Sequence, residues 1–119
     1  MREMSSVLIM YTTKRSDTFA KLIDKYHCLL KDVFQDNDVN LIKLVPKQTV
    51  FIPIKEQGKI KIVEHITTND TIGDILTLYN IDITTLQYFN NFLQLILAEN
   101  QVLRIHSKLD QDFFQNLLY

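Results

Sequence analysis

Asp17-Thr18-Phe19-Ala20-Lys21-Leu22-Ile23-Asp24-Lys25-Tyr26 returns later in the chain as Asp70-Thr71-Ile72-Gly73-Asp74-Ile75-Leu76-Thr77-Leu78-Tyr79. The offset is 53 positions (70 minus 17), and no gap is needed when Tyr11–Ile54 is laid over Glu64–Ser107. Asn37 then falls on Asn90, Leu44 on Leu97, Gln48 on Gln101 and Ile52 on Ile105. Self-similarity at a fixed period defines the building block before any single residue is interpreted. The 119-residue chain therefore divides into a first copy over 7–55, a second over 59–107 and a C-terminal tail over 108–119.

Outward from the quoted stretch, each copy reads strand, helix, helix, strand. Phe19, Leu22, Ile23 and Tyr26 recur at i, i+3, i+4 and i+7, one face of a helix, and Ile72, Ile75, Leu76 and Tyr79 repeat that spacing. Asp17 or Thr18, and Asp70 or Thr71, offer side-chain oxygens to the free N–H groups of the helix start. Leu30, Val33 and Phe34 mark a second helix in the first copy, and Ile83 and Leu86 one in the second. Val7–Tyr11 and Thr49–Ile52 are apolar and β-branched enough for strands, with Pro53 ending the latter. Lys59–Ile66 alternates apolar with charged residues, and Val102–Ile105 closes the second copy. The expected fold is α+β: two tandem βααβ units, each a two-stranded antiparallel sheet packed on two helices. Lys55-Glu56-Gln57-Gly58 reads as the linker.

In the tail, Leu109, Phe113 and Leu117, with Phe114 and Leu118 beside them, fall on one side of a helix, opposite Asp110, Asp112, Gln115 and Asn116. Ser107 with Asp110 resembles a capping box at its start. An amphipathic C-terminal helix of this kind needs a surface to cover it, on its own domain or on a partner. These five apolar residues are the partner-docking candidates.

Composition narrows the function. A net charge of -1 with scattered basic residues carries no nucleic-acid signature and no attraction to an anionic membrane. Cys28 is the one cysteine, so no disulfide staples either copy, and each copy alone is small for an independent core. The opening Met1-Arg2-Glu3-Met4 and the short apolar run Val7–Met10 do not resemble a signal peptide, and no apolar run approaches the ~18 residues of a membrane span. The expectation is synthesis without export, with release inside an assembly.

Catalytic patterns are missing. His27 and Cys28 are adjacent and do not form a base–nucleophile pair. His65 and His106 are read as facing each other on neighbouring strands, but two histidines without a third ligand make no metal site. Glu56, Glu64 and Glu99 lack the arrangement of a glycosidase pair. No glycine-rich phosphate loop exists, and no cofactor is implied.

The ordered elements resemble the lysin-motif (LysM) domain, present twice. Its core is an aromatic-threonine strand end, Gly-Asp-Thr-Leu, an apolar helical stripe to a tyrosine, an asparagine near the second helix, and Pro-Gly-Gln before a strand. The chain supplies Tyr11-Thr12, Ser16-Asp17-Thr18-Phe19, Tyr26, Asn37, Pro46-Lys47-Gln48 and Phe51-Ile52-Pro53. Its second copy supplies Asn69-Asp70-Thr71-Ile72, Tyr79, Asn90, Glu99-Asn100-Gln101 and Leu103-Arg104-Ile105. Ser16, Asn69, Lys47 and Asn100 stand where the pattern has glycine. Asparagine accepts a positive φ more readily than serine or lysine, so altered loops are expected in the first copy.

The resemblance implies a βααβ fold and, in family members that bind N-acetylglucosamine polymers, a sugar groove between two loops. Carried over, that groove is Ser16, Asp17, Thr18 and Phe19 with Asn40, Leu41, Ile42 and Lys43 in copy one. In copy two it is Asn69, Asp70, Thr71 and Ile72 with Leu93, Gln94, Leu95 and Ile96. Small lysin-motif proteins without export signals also occur in contractile phage tails and injection machines, where they bind proteins. Two functions follow: a non-catalytic adaptor contacting tail tube, baseplate or spike proteins, or a peptidoglycan- or chitin-binding module. The absence of tryptophan, the altered loops and the apolar tail favour the adaptor.

Overall fold

A computed structural model describes residues 7–107; the tail candidates Leu109, Phe113, Phe114, Leu117 and Leu118 lie outside them. The chain is α+β. Its elements run β1 (Val7–Thr12), α1 (Phe19–Tyr26), α2 (Leu30–Asp36), β2 (Thr49–Glu56), β3 (Lys59–Ile66), α3 (Ile72–Tyr79), α4 (Ile83–Phe89), a 3-10 turn (Phe92–Gln94) and β4 (Val102–Ser107). The helical stripes bury as spaced: Phe19 and Leu22 in α1, Ile72 and Ile75 in α3. Both helices stop where the next residue turns left-handed, His27 at φ 52° and Asn80 at φ 52°.

Strand pairing departs from the expected plan. The two strands of a copy do not pair with each other; β1 pairs antiparallel with β4, and β2 with β3. The cause lies in the supposed linker. Lys55 and Glu56 belong to β2, leaving Gln57 and Gly58 alone as a two-residue turn with φ of 52° and 76°. Two successive positive φ values are the signature of the hairpin turn whose twist matches its strands. Folding β2 straight back on β3 leaves β1 to be paired by β4. Each sheet thus takes one strand from each copy, and the copies exchange their closing strands.

Pro53 does not end β2; it pairs opposite Ile62 inside it. The N–H and C=O of Phe51 point away from β3, toward Asn90. Pro53, two residues along, faces its missing N–H to the same outer edge, where the ladder does not need it.

The repeat survives this exchange as an internal twofold. The isolated bridges Thr18–Ile96 and Lys43–Thr71 exchange under it, and Leu44–Leu97 maps onto itself (97 minus 44 is again 53). Before Asp17, however, the ungapped alignment fails by one residue. The bonds Thr13 makes to Ala98, Asn100 and Gln101 are those Thr67 makes to Val45, Lys47 and Gln48. Thr13 therefore matches Thr67 at an offset of 54 (67 minus 13), and Tyr11 matches His65 instead of Glu64. The turn of copy one holds one extra residue, and Ser16 in it sits at φ 70°. Lys47 takes φ 69° beside 67° for its twin Asn100, whereas Asn69 has no positive φ. Loop alteration is thus confined to the first turn, and Lys47 holds the same left-handed position as Asn100.

Buried apolar residues from both copies form one cluster, from Phe19, Leu22 and Ile42 through Leu44 and Leu97 to Ile72, Ile75 and Ile105. Phe19 stacks on Phe92 at 5.2 Å between ring centroids, joining α1 of one copy to the 3-10 turn of the other.

Candidate functional site

The two Asp-Thr turns follow one plan with different parts. Tyr11 Oη–H and the Lys14 N–H both donate to Asp17 Oδ2 at 2.7 Å. Thr18 caps α1, its hydroxyl oxygen accepting from the Lys21 N–H at 3.2 Å. In the second copy Asp70 Oδ2 accepts from the Thr68 N–H at 3.0 Å and meets His65 Nε2 at 3.0 Å. Thr71 and Asp74 form a reciprocal capping box on α3, both bonds 3.0 Å. Threonine is the cap in both copies, and aspartate ties the preceding turn to the strand.

Electrostatics follow these contacts. Tyr11 is pushed up to about 12, first by burial, then by the hydrogen bond and charge of Asp17 and by Tyr26. For Asp70 burial acts upward, but the Thr68 N–H and His65 together outweigh it and hold the carboxyl below its ordinary value. His65 also meets the Tyr79 hydroxyl through Nδ1 at 2.7 Å. His106 lies on the other sheet, with Nδ1 2.6 Å from Asp36 Oδ2. The histidines are therefore not on neighbouring strands; each is turned to its own carboxylate. Ser107 ends β4, fully buried, and its hydroxyl donates to the Tyr26 carbonyl at 2.9 Å; Asp110, read with it as a capping box, lies outside the described residues.

Strand exchange rearranges the candidate grooves. The Leu97 N–H donates to Asp17 O at 2.8 Å, so the turn Ser16–Phe19 meets Leu95, Ile96 and Leu97 of the second copy. The Leu44 N–H donates to Asp70 O at 3.0 Å and the Ile72 N–H to Ile42 O at 2.8 Å, so Asn69–Ile72 meets Leu41, Ile42 and Lys43 of the first. Neither groove is assembled within one copy as expected. Phe19, Ile42 and Ile72 are fully buried, and Asp17, Thr18, Thr71 and Leu95 are nearly so. Ser16, Asn69 and Leu41 are exposed, and Ile96 and Asp70 are half-buried.

Two pairs of residues singled out in the sequence by the repeat and the motif resemblance, with no role assigned, prove to be main-chain clamps. Asn37 Nδ2–H donates to Arg104 O at 2.7 Å while its Oδ1 accepts the Arg104 N–H at 2.8 Å; Asn90 does the same to Phe51, both bonds 2.8 Å. Each asparagine thereby covers part of an outer strand edge, which otherwise presents bare donors and acceptors. Gln48 clamps Ile96 and Gln101 clamps Lys43 in the same two-bond manner. Every clamp runs from one copy to the other. Side chains with one donor and one acceptor arm, recurring at the repeat offset, were the available signal.

An open cleft of about 450 Å³ lies beside β4, between its outer edge and the segment after α2, lined by Met10, Asn37, Leu41, Ile42, Val102 and Arg104 among others. Apolar side chains are also exposed on the outer sheet faces, turned away from the helices: Leu8, Met10 and Val102 on one, Phe51, Ile60, Ile62 and Ile66 on the other. Among the described residues no helix is long and apolar enough to cross a membrane. Compared with known protein families, curated proteins and solved structures, the chain matches none.

Proposed function

We propose that this chain is a tandem lysin-motif protein with exchanged closing strands, working as a non-catalytic adaptor within a phage tail or contractile injection-type baseplate. Its partners are other assembly proteins, of tube, baseplate or spike, bound through protein–protein contacts. The observation that carries the reading is the state of the loop groups that a sugar would need. The Asp17 carboxylate and the Thr18 and Thr71 hydroxyls are engaged within the chain, and Phe19, Ile42 and Ile72 are fully buried. A saccharide needs aromatic platforms and open hydrogen-bonding groups, and these loops offer little of either. Large apolar side chains on both outer sheet faces support contact with protein.

The peptidoglycan- or chitin-binding alternative keeps exposed Ser16, Leu41 and Asn69. Mixing the protein with insoluble peptidoglycan and chitin separates the two readings. Recovery in the unbound fraction agrees with the adaptor; retention that Asp70→Ala abolishes would establish the glycan reading instead.

A further inference from the structure

We infer that the outer edge of β3 takes up an extended segment of a partner protein as an added antiparallel strand, with an acidic residue opposite Lys61 and a basic residue opposite Glu64. The edge follows from the register. Phe51 turns its N–H and C=O away from β3, so Glu64 across from it turns its own away from β2. At a period of two, Ile60, Ile62 and Ile66 do the same. Among the described residues no hydrogen bond reaches these main-chain groups. The other strands of the two closing pairs are guarded: β2 by Asn90 and Pro53, β4 by Asn37. A free edge of eight residues is a template for a further strand.

Side chains beside the edge define what it accepts. Ile60, Ile62 and Ile66 are exposed on the outer face. On the helix side Leu78 is exposed, and the internal twofold puts it where Lys25 lies in copy one, with Nζ 5.2 Å from the centre of the Tyr11 ring. An added strand therefore meets apolar groups on both faces. The twin edge, on β1, is six residues long, carries no charge and has Lys25 over its helix side. Charges along β3 are divided between the faces. Lys55 and Glu64 lie on the outer one, Glu56, Lys59, Lys61 and His65 on the inner one. His65 is engaged by Asp70 and Tyr79, and Glu56 stands opposite Lys59. Lys61 faces Ile54 and Glu64 faces Phe51, so neither has an opposite charge across the ladder. A second copy does not supply one. When two β3 edges pair antiparallel, the registers of greatest overlap set Glu64 against Ile60 or Ile62, and Lys59 or Lys61 against His65. The next registers oppose Lys61 to Lys61 or Glu64 to Glu64. The lysine and glutamate that turn away a second copy are the groups that select a partner of opposite pattern.

The inference rests on the protein-adaptor reading, which the glycan assay tests separately: a peptide that fails to pair, with no retention on glycan, overturns this inference alone. The probe is a synthetic peptide as long as β3, apolar opposite Ile60, Ile62, Val63 and Ile66, with glutamate opposite Lys61 and lysine opposite Glu64. A control peptide exchanges the two charges. NMR of the isotope-labelled full chain reads amide shifts and hydrogen exchange. Saturable shifts and slowed exchange at Ile60, Ile62, Glu64 and Ile66, with Leu8, Met10 and Thr12 of β1 unchanged, are the expected result. The charge-exchanged peptide binds about tenfold more weakly. Ile62→Pro abolishes binding, because it removes an outward N–H that β2 does not use, as Pro53 opposite it already does. The exchange measurement itself needs no variant. Unprotected amides, equal protection on β1, equal binding of the two peptides, or unchanged binding by Ile62→Pro each overturn the inference. So does slow exchange of the four amides before peptide is added. If that protection grows with protein concentration, the occupant is a second copy; if not, the chain covers its own edge.

Discussion

Leu44 and Leu97 face each other across an isolated antiparallel bridge, each nearly devoid of solvent contact, at the one point that the internal twofold maps onto itself. Val45 N–H donates to Ile96 O at 2.9 Å and Ala98 N–H to Lys43 O at 3.0 Å, one bond on either side. Both halves depend on this pair, so truncating it acts on both. Leu44→Ala is expected to cost about 3 kcal/mol, the typical loss for a buried leucine. Denaturant unfolding followed by tyrosine fluorescence and by circular dichroism should give coincident transitions at a lower midpoint. Two separated transitions would show that the halves unfold independently.

The clamps give a second expectation. Asn90→Ala removes both partners of Phe51's outer N–H and C=O, together with a bond to Leu86 O. A loss of roughly 1–2 kcal/mol follows, limited because water can replace the clamp at an exposed edge. Hydrogen exchange at the Phe51 amide should accelerate, while that at Arg104, held by Asn37, stays slow.

Gly73 supplies the third. A Cβ placed there would lie 2.8 Å from Asn40 Cα and still closer to the Asn40 side-chain amide. Alanine gains about 1 kcal/mol of helix propensity over glycine. A displaced backbone costs more, typically 1–3 kcal/mol, so Gly73→Ala is expected to lower the melting temperature. The twin position already carries Ala20, and Ala20→Gly should be milder, losing only propensity.

Two turns impose opposite pH limits. Asp70 is held below its ordinary value, so its contribution is present above about pH 4 and fades as pH falls through the lowered value. Asp70→Asn should flatten the acid limb of a stability–pH curve. Tyr11 is raised to about 12 against 10.0 for a free tyrosine. The folded chain keeps a proton that the unfolded chain loses, so this stability is complete below pH 10 and declines as pH rises toward 12. Tyr11→Phe should reduce that alkaline decline, measured by urea unfolding at pH 9 and 11.

The local elements were legible because apolar spacing is a local property. Phe19, Leu22, Ile23 and Tyr26 announce α1, and Ile60, Ile62 and Ile66 announce β3 whichever strand lies beside them. Strand exchange was not legible from those residues, since Val50 and Ile52 present the same inward face to β1 or to β3. The discriminating signal was the length of the connection: once Lys55 and Glu56 join β2, Gln57-Gly58 is too short for anything but a hairpin. The site was hidden for a related reason. Ser16–Phe19 and Leu41–Ile42 are neighbours only if a copy closes on itself, and here each loop meets its counterpart from the other copy. The extra residue before Asp17 escaped because Tyr11 and Glu64 were aligned as strand ends, although Thr13 and Thr67 carry the shared hydrogen-bonding role.

The hairpin at Gln57-Gly58 also sets what the two halves owe each other. Each half takes its closing strand from the other, yet their paired positions are separate residues of one polypeptide and need not be identical: Tyr11 on one side and His65 on the other do the same structural work with different chemistry.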